Sequence, residues 1–238
     1  MKKIKTFLIS TIFTFIFCGN VVAGTGEATE YKINIYKMEL CDSSSTASVC
    51  NGAVTIFDGN SGDIDIANTT AGAAAASLGN ANAATFGTAY TYLQITMGRD
   101  FTVKGSAADG SGTTCYTKSN GSAAALAKGS EDSSEEASAT LYAAVNGTSV
   151  GNNLTGLQTL ADTTGVASTL DEDDEFFQYR QQLANTFIME PGNIPSVTIA
   201  FGTSAAVGAI DDMTSNCNST GAAKGLYAAE PDVTVTIK

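Results

Sequence analysis

An all-β fold, with two layers of short strands packed face to face as a β-sandwich, follows from three features of this 238-residue chain. Several stretches alternate apolar and polar residues with a period of two, the mark of a strand with one buried face. The chain opens with an export signal and then carries an even number of cysteines, so disulfides are expected to brace the layers. Ala, Gly, Ser and Thr dominate between the alternating stretches. That composition predicts loop insertions rich in small residues, at most short helices, and a thin core.

Residues 1–23 read as a secretory signal peptide. Lys2, Lys3 and Lys5 form a basic start, residues 6–18 an apolar run too short to span a bilayer, and Val21 with Ala23 a small-residue cleavage site. A lipid anchor on Cys18 is the weaker alternative, because Phe17 stands where lipoprotein signals carry a small residue. Residues 24–238 then form a single β-sandwich domain with a long loop insertion at about 105–175, and no later stretch is apolar for long enough to cross a membrane as a helix.

In the folded part, Tyr31, Ile33 and Ile35 alternate with Lys32 and Asn34 as an opening strand. Its apolar parity then shifts to Met38 and Leu40, which predicts a bulge near Tyr36. Short strands follow at residues 54–57 and at Ile64 with Ile66. The alanine run 71–78 suits two helical turns. Leu93, Ile95 and Met97 continue as Phe101 and Val103 across a Gly98–Asp100 turn, which predicts a hairpin.

Residues 105–136 read as a long loop tied down by Cys115, and residues 139–145 as a strand. Leu154, Leu157 and Leu160 fall at helical spacing. Residues 176–190 fit helix or strand, with strand favoured from about Ala184. Val197, Ile199 and Phe201 alternate, and residues 207–210 continue after a bend. The closing strand is 233–237, just after Pro231.

Four cysteines survive signal removal. Cys41 and Cys50 flank a short Ser/Thr loop and are expected to pair, which leaves Cys115 with Cys217. Zinc on the same four is disfavoured by the absence of any C-x-x-C spacing. The processed chain keeps 9 basic residues against 24 acidic ones, a net charge of −15, and so should repel nucleic acid and anionic lipid.

The order of these pieces resembles a prealbumin-like β-sandwich domain of unknown function from bacterial secreted lipoproteins and surface proteins. The matching stretches are residues 33–40, 63–67, 86–95, 198–201 and 229–235. The resemblance implies a prealbumin/immunoglobulin-like sandwich in a surface or periplasmic accessory protein, and it brings no catalytic residues with it.

The chain has no histidine, which excludes Ser-His-Asp and Cys-His mechanisms and imidazole metal sites. It has no tryptophan, leaving Tyr90 and Tyr92 as weak stacking surfaces for a sugar, and no phosphate-cradling glycine motif. Paired carboxylates at Asp63 and Asp65, or in the acidic run 171–175, would suit glycoside hydrolysis but read better as solvated faces.

Hard oxygen ligands at Asp58, Asn60, Asp63 and Asp65, and again at Asp171, Asp173 and Asp174, make calcium the sharper idea, although neither run matches an EF loop. No cofactor beyond calcium is expected, and no enzyme activity. The expected role is structural, adhesive or filament- or lattice-forming, at the cell surface or in the periplasm, by self-association or with a surface partner. Residues 31–40 are the candidate edge strand for such pairing. A periplasmic module binding a small ligand or calcium is the alternative. An outer-membrane β-barrel comes third, weakened by the cysteines and by Lys238 at the C-terminus.

Overall fold

The structure, a computed structural model, describes residues 24–68, 79–121, 124, 126–142, 157–159, 176–192, 195–209, 217 and 225–237. These are mostly strand. Helix among them is limited to single 3-10 turns at Ala81–Ala83 and Ser133–Glu135.

The chain is organised around β2 (Ala28–Asp42), a fifteen-residue strand that serves both layers. Its first half pairs with β4 (Asp63–Asp65) and β6 (Asp100–Ala108). Its second half pairs with β3 (Val54–Asp58) and β5 (Ala89–Gly98). The register against β5 slips between Ile35 and Lys37, where the sequence predicts a bulge. The slip keeps Tyr31, Ile33 and Ile35 buried on one side of it and Met38 and Leu40 buried on the other. The expectation of a free edge at residues 31–40 is therefore overturned, because this stretch lies mid-sheet with partners on both sides.

β5 and β6 are not a hairpin either, for they do not pair with each other. Each pairs with a different half of β2, and Arg99 is the corner between them. Leu93, Ile95, Met97, Phe101 and Val103 keep one inward parity through that corner, so the chain turns from one layer into the other without flipping its apolar face. Phe101 on β6 meets Phe177 edge-on with 5.8 Å between ring centroids, and Tyr31 lies 5.6 Å from Phe101 on its other side. β6 and the strand bearing Phe177 share no hydrogen bonds, so these rings join the two layers.

Phe177 belongs to β11 (Phe176–Ile188), which pairs antiparallel with β5. The strand begins eight positions before the expected start at Ala184. Phe177, Tyr179 and Leu183 point into the core, while Gln178, Arg180 and Gln182 occupy the other face and disguise the alternation. β10 (Leu157–Thr159) adds to β11 as a short strand, so the helical spacing of the leucines around it does not describe residues 157–159. Residues 71–78 and 171–175 lie outside the described residues.

The described residues of the 105–136 stretch include paired strands as well as loop. The end of β6 pairs with β7 (Thr114–Thr117), and β7 pairs with β8 (Gly129–Ser130). Small residues make this packing feasible: a side chain at Gly105 would collide with the backbone at Glu27 and Ala28 and with Val207. β9 (Ala139–Tyr142) is a strand within the stretch 139–145 expected to be one, and it pairs with the start of β6; residues 143–145 lie outside the described residues.

A small sheet of β1 (Thr25–Gly26), β13 (Val207–Ala209) and β14 (Leu226–Ala228) covers one end. The main sheet runs β12 (Val197–Gly202), β15 (Asp232–Ile237), β11, β5, β2, β6, β7, β8. Both expected disulfides are present, with Cα–Cα distances of 5.2 Å for Cys41–Cys50 and 5.3 Å for Cys115–Cys217.

Candidate functional site

Residues 229–231 cross the open end of the two layers on their way from β14 to β15, and two tyrosines from different layers hold them there. Tyr31, inward on β2, donates its hydroxyl hydrogen to the Ala229 carbonyl at 3.1 Å. Tyr179, inward on β11, reaches the Glu230 carboxylate and the Gln181 amide oxygen, each at 2.7 Å. A phenol has one hydrogen, and the charged acceptor takes it in preference, leaving the Gln181 amide to turn its NH2 toward the phenolic oxygen. Pro231 then fixes the backbone just before β15, where its missing N–H costs no ladder bond.

Burial is the main reason both hydroxyls resist ionisation. It pushes the Tyr31 and Tyr179 pKa values well above the usual tyrosine range. The Glu230 charge adds to the push on Tyr31, and a hydrogen bond to Glu230 together with its charge does so on Tyr179. Both tyrosines are therefore neutral donors over the whole physiological range.

Outside this crossing lies a groove of about 450 Å³, walled by Tyr179, Gln181, Tyr227, Glu230 and Asp232 with Thr25 at its rim. The Tyr227 ring lies flat over Gly208, where any side chain would overlap it, so the glycine sets the depth of that wall. On the inner side of the crossing is an apolar recess of about 40 Å³, bounded by Ile33, Ile95, Met97, Phe101 and Phe177. Tyr179, Glu230, Pro231 and Val233 border both spaces. Among the described residues that line them there is no lysine or arginine.

A second polar feature crosses the middle of the sheet. Glu39 on β2, Gln94 on β5 and Arg180 on β11 stand in one cross-strand row, and all three are buried. Glu39 accepts from Lys37 at 2.6 Å and from the Gln94 amide at 2.7 Å. Burial lowers the Arg180 pKa, and the Glu39 charge opposes that shift. The Arg180 Nε and Nη1 have no hydrogen-bond partner among the described residues. Near the layer corner, the Arg99 guanidinium sits 4.4 Å above the Tyr142 ring.

The third feature is a strand edge. β12 bonds to β15 along its length from Val197–Ile237 to Gly202–Asp232, and among the described residues no strand pairs with its other side. β12 contains neither a charged residue nor a proline.

The calcium set predicted from sequence is spread along a turn and its flanking strands. Asp58 ends β3 opposite Lys37, and Asp63 and Asp65 sit on β4 opposite Asn34 and Lys32. The Asn60 side chain accepts from the Gly62 N–H. Asp65 uses its oxygens on the Tyr31 and Ala67 N–H groups and the Asn68 amide. Burial raises its pKa, and these bonds outweigh that and hold it below the usual carboxylate range. Among the described residues no three acidic or cysteine side chains converge as a metal cage. Tyr90, expected as a stacking surface, is buried and accepts from the Thr85 N–H at 3.0 Å.

Sequence reasoning passed over Tyr31, Tyr179 and Glu230. The available signal was a tyrosine at an inward strand position, whose hydroxyl needs a partner once buried. Comparison with models of known families, with curated proteins and with solved structures finds no match for this chain.

Proposed function

We propose that this protein is an exported, non-catalytic component of the cell surface or periplasm that works by assembly, each copy adding a strand of a second copy to its β12 edge. The uncharged β12 edge carries this reading. Sheet edges are ordinarily blunted by lysines, prolines or bulges to prevent such addition, and β12 has none of the first two. Two disulfides fit an oxidising compartment outside the cytoplasm. No helix among the described residues is long and apolar enough to cross a membrane. Most large apolar side chains among the described residues point inward, the reverse of a lipid-facing barrel. The prealbumin-like resemblance of the sequence belongs to the same reading, since it implies a surface accessory role without catalytic residues.

The test is the mass of the processed protein in solution as its concentration rises, by light scattering after size exclusion. Growth into dimers or longer assemblies is expected. Thr198→Lys, which places a charge on the exposed face of β12, should return the protein to monomer. A chain that stays monomeric when concentrated, or a Thr198→Lys variant that assembles as before, would defeat the proposal.

A further inference from the structure

We infer that Lys37 and Gln94 are the two ends of an intramolecular cross-link: the Lys37 amine displaces ammonia from the Gln94 side-chain amide and joins β2 to β5 through an isopeptide bond. This goes beyond the assembly reading and does not depend on it.

The reacting groups are already gathered. Glu39 bridges them, accepting from Lys37 Nζ on one carboxylate oxygen at 2.6 Å and from Gln94 Nε2 on the other at 2.7 Å. Lys37 stands opposite Thr96, and Glu39 stands opposite Gln94. Lys37 and Gln94 are therefore diagonal neighbours on one face of the sheet. Such neighbours are roughly 7–8 Å apart, a gap that two long side chains can close.

Orientation follows from charge. A carboxylate only accepts, so the Gln94 amide turns its NH2 toward Glu39 and its oxygen away. Gln94 is 5% exposed, and its Oε1 has no hydrogen-bond partner among the described residues. Directly across from it on β11 stands Arg180, 8% exposed, which spends Nη2 on Gln178 and leaves Nε and Nη1 without partners. An unmet acceptor beside unmet donors costs free energy in the resting protein. The same arrangement suits a tetrahedral intermediate, in which negative charge builds on Oε1 and draws the guanidinium onto it.

The step balances. Glu39 takes a proton from the Lys37 ammonium and frees the amine lone pair. Nζ attacks Gln94 Cδ, and the carbonyl electron pair moves to Oε1. Glu39 hands its proton to Nε2 and takes a second from Nζ. The Cδ–Nε2 bond then breaks with its electron pair on nitrogen, and ammonia leaves with the remaining proton as ammonium. One ammonium is consumed, one is released, and no co-reactant enters. Lys37 is half-buried, so ammonia has a way out on its side.

The experiment is the intact mass of the exported, processed protein with both disulfides formed, followed by peptide mapping. A mass one ammonia below that of the processed sequence is expected, with a branched peptide that joins Lys37 to Gln94. Glu39→Ala should restore the full mass by removing the proton carrier. Lys37→Arg keeps a cation beside Glu39, lacks the amine, and should restore the full mass with the fold intact by circular dichroism. It is also the background in which substitutions at Glu39 and Arg180 report on the ion pair alone. Arg180→Met should slow the mass change about 100-fold, timed from refolding of newly made chain.

The inference is overturned if the folded parent has its full mass, if the lost ammonia maps elsewhere, or if the Lys37→Arg protein is as light as the parent. An unchanged rate in Arg180→Met overturns the part given to Arg180. A protein that carries the bond yet stays monomeric when concentrated would sink the assembly reading and leave this one standing.

Discussion

Removing the Cys115–Cys217 bridge should cost far more stability than removing Cys41–Cys50, although the two have nearly the same span in space. The sequence separations are 102 and 9 residues. In the chain-entropy account, cross-linking restricts the unfolded chain by an amount that grows with the logarithm of loop length. That gives about 4.7 kcal/mol for the long loop and about 2.6 kcal/mol for the short one at 25 °C. The difference of about 2 kcal/mol corresponds to roughly 4–8 °C in Tm for a chain of this size.

The long bridge also closes a contact that the short one lacks. Gly129 of β8 donates its N–H to the Cys217 carbonyl at 2.8 Å, and a Cβ built on Gly129 would stand only 3.2 Å from the Cβ atoms of both cysteines. The assay is urea unfolding, without reductant, of the Cys41→Ala/Cys50→Ala and Cys115→Ala/Cys217→Ala proteins beside the parent. Each variant loses two sulfur atoms, so the difference between them isolates loop length and the β8 contact. Equal losses, or a larger loss from the short loop, would refute the reasoning. An m-value that changes in one variant alone would show that its unfolded state had changed in extent.

Alkaline pH should unfold the protein through Tyr31 and Tyr179. Their folded pKa values are raised by burial, so the stability they contribute is complete below the unfolded value of about 10 and is lost as pH rises beyond it. Tyrosinate absorbance should therefore show part of the tyrosines titrating early and these two only as the fold is lost. Tyr179→Phe should give a shallower decline above pH 10, and an unchanged slope counts against the assignment. In the buried row, Glu39→Gln removes the carboxylate that offsets Arg180 and should cost about 3 kcal/mol, whereas Glu39→Gln with Arg180→Met should recover most of that. A double-mutant cycle by urea melts tests this, and additive losses would show that the two groups do not interact.

Much of the layer structure was legible because a buried face on a strand writes a period of two into the sequence. Met38 and Leu40 out of phase with Ile33 and Ile35 located a bulge, and close cysteine spacing located the Cys41–Cys50 bridge, which left Cys115 to pair with Cys217. Pairing partners were less legible. Apolar alternation in residues 90–103 says which side faces the core, yet it is blind to which neighbour supplies the hydrogen bonds, so a corner between layers reads as a hairpin. β11 was hidden for a different reason: its outer row of Gln178, Arg180 and Gln182 and its interior Tyr179 dilute the hydrophobic signal. The groove was hidden most deeply, because it joins β1, β11, β14 and β15 from opposite ends of the chain.

The two tyrosine hydrogen bonds link the edge to the groove in one further way. β15 meets β11 in a single parallel register pair, Leu183 with Val235, whereas β12 and β15 share six pairs. The β12–β15 pair is therefore hydrogen-bonded mainly to itself, its buried side chains join it to the core, and residues 229–231 are the strap by which it is entered. Tyr31 and Tyr179 fix that strap to β2 and β11, so the same two hydroxyls help to place β15 and to shape the groove wall. A net hydrogen bond contributes about 1 kcal/mol, and one to a charged group about 1.5–3 kcal/mol. Those bonds add to the burial of Val197, Ile199, Val235 and Ile237 in the core, which is the larger part of what seats this edge.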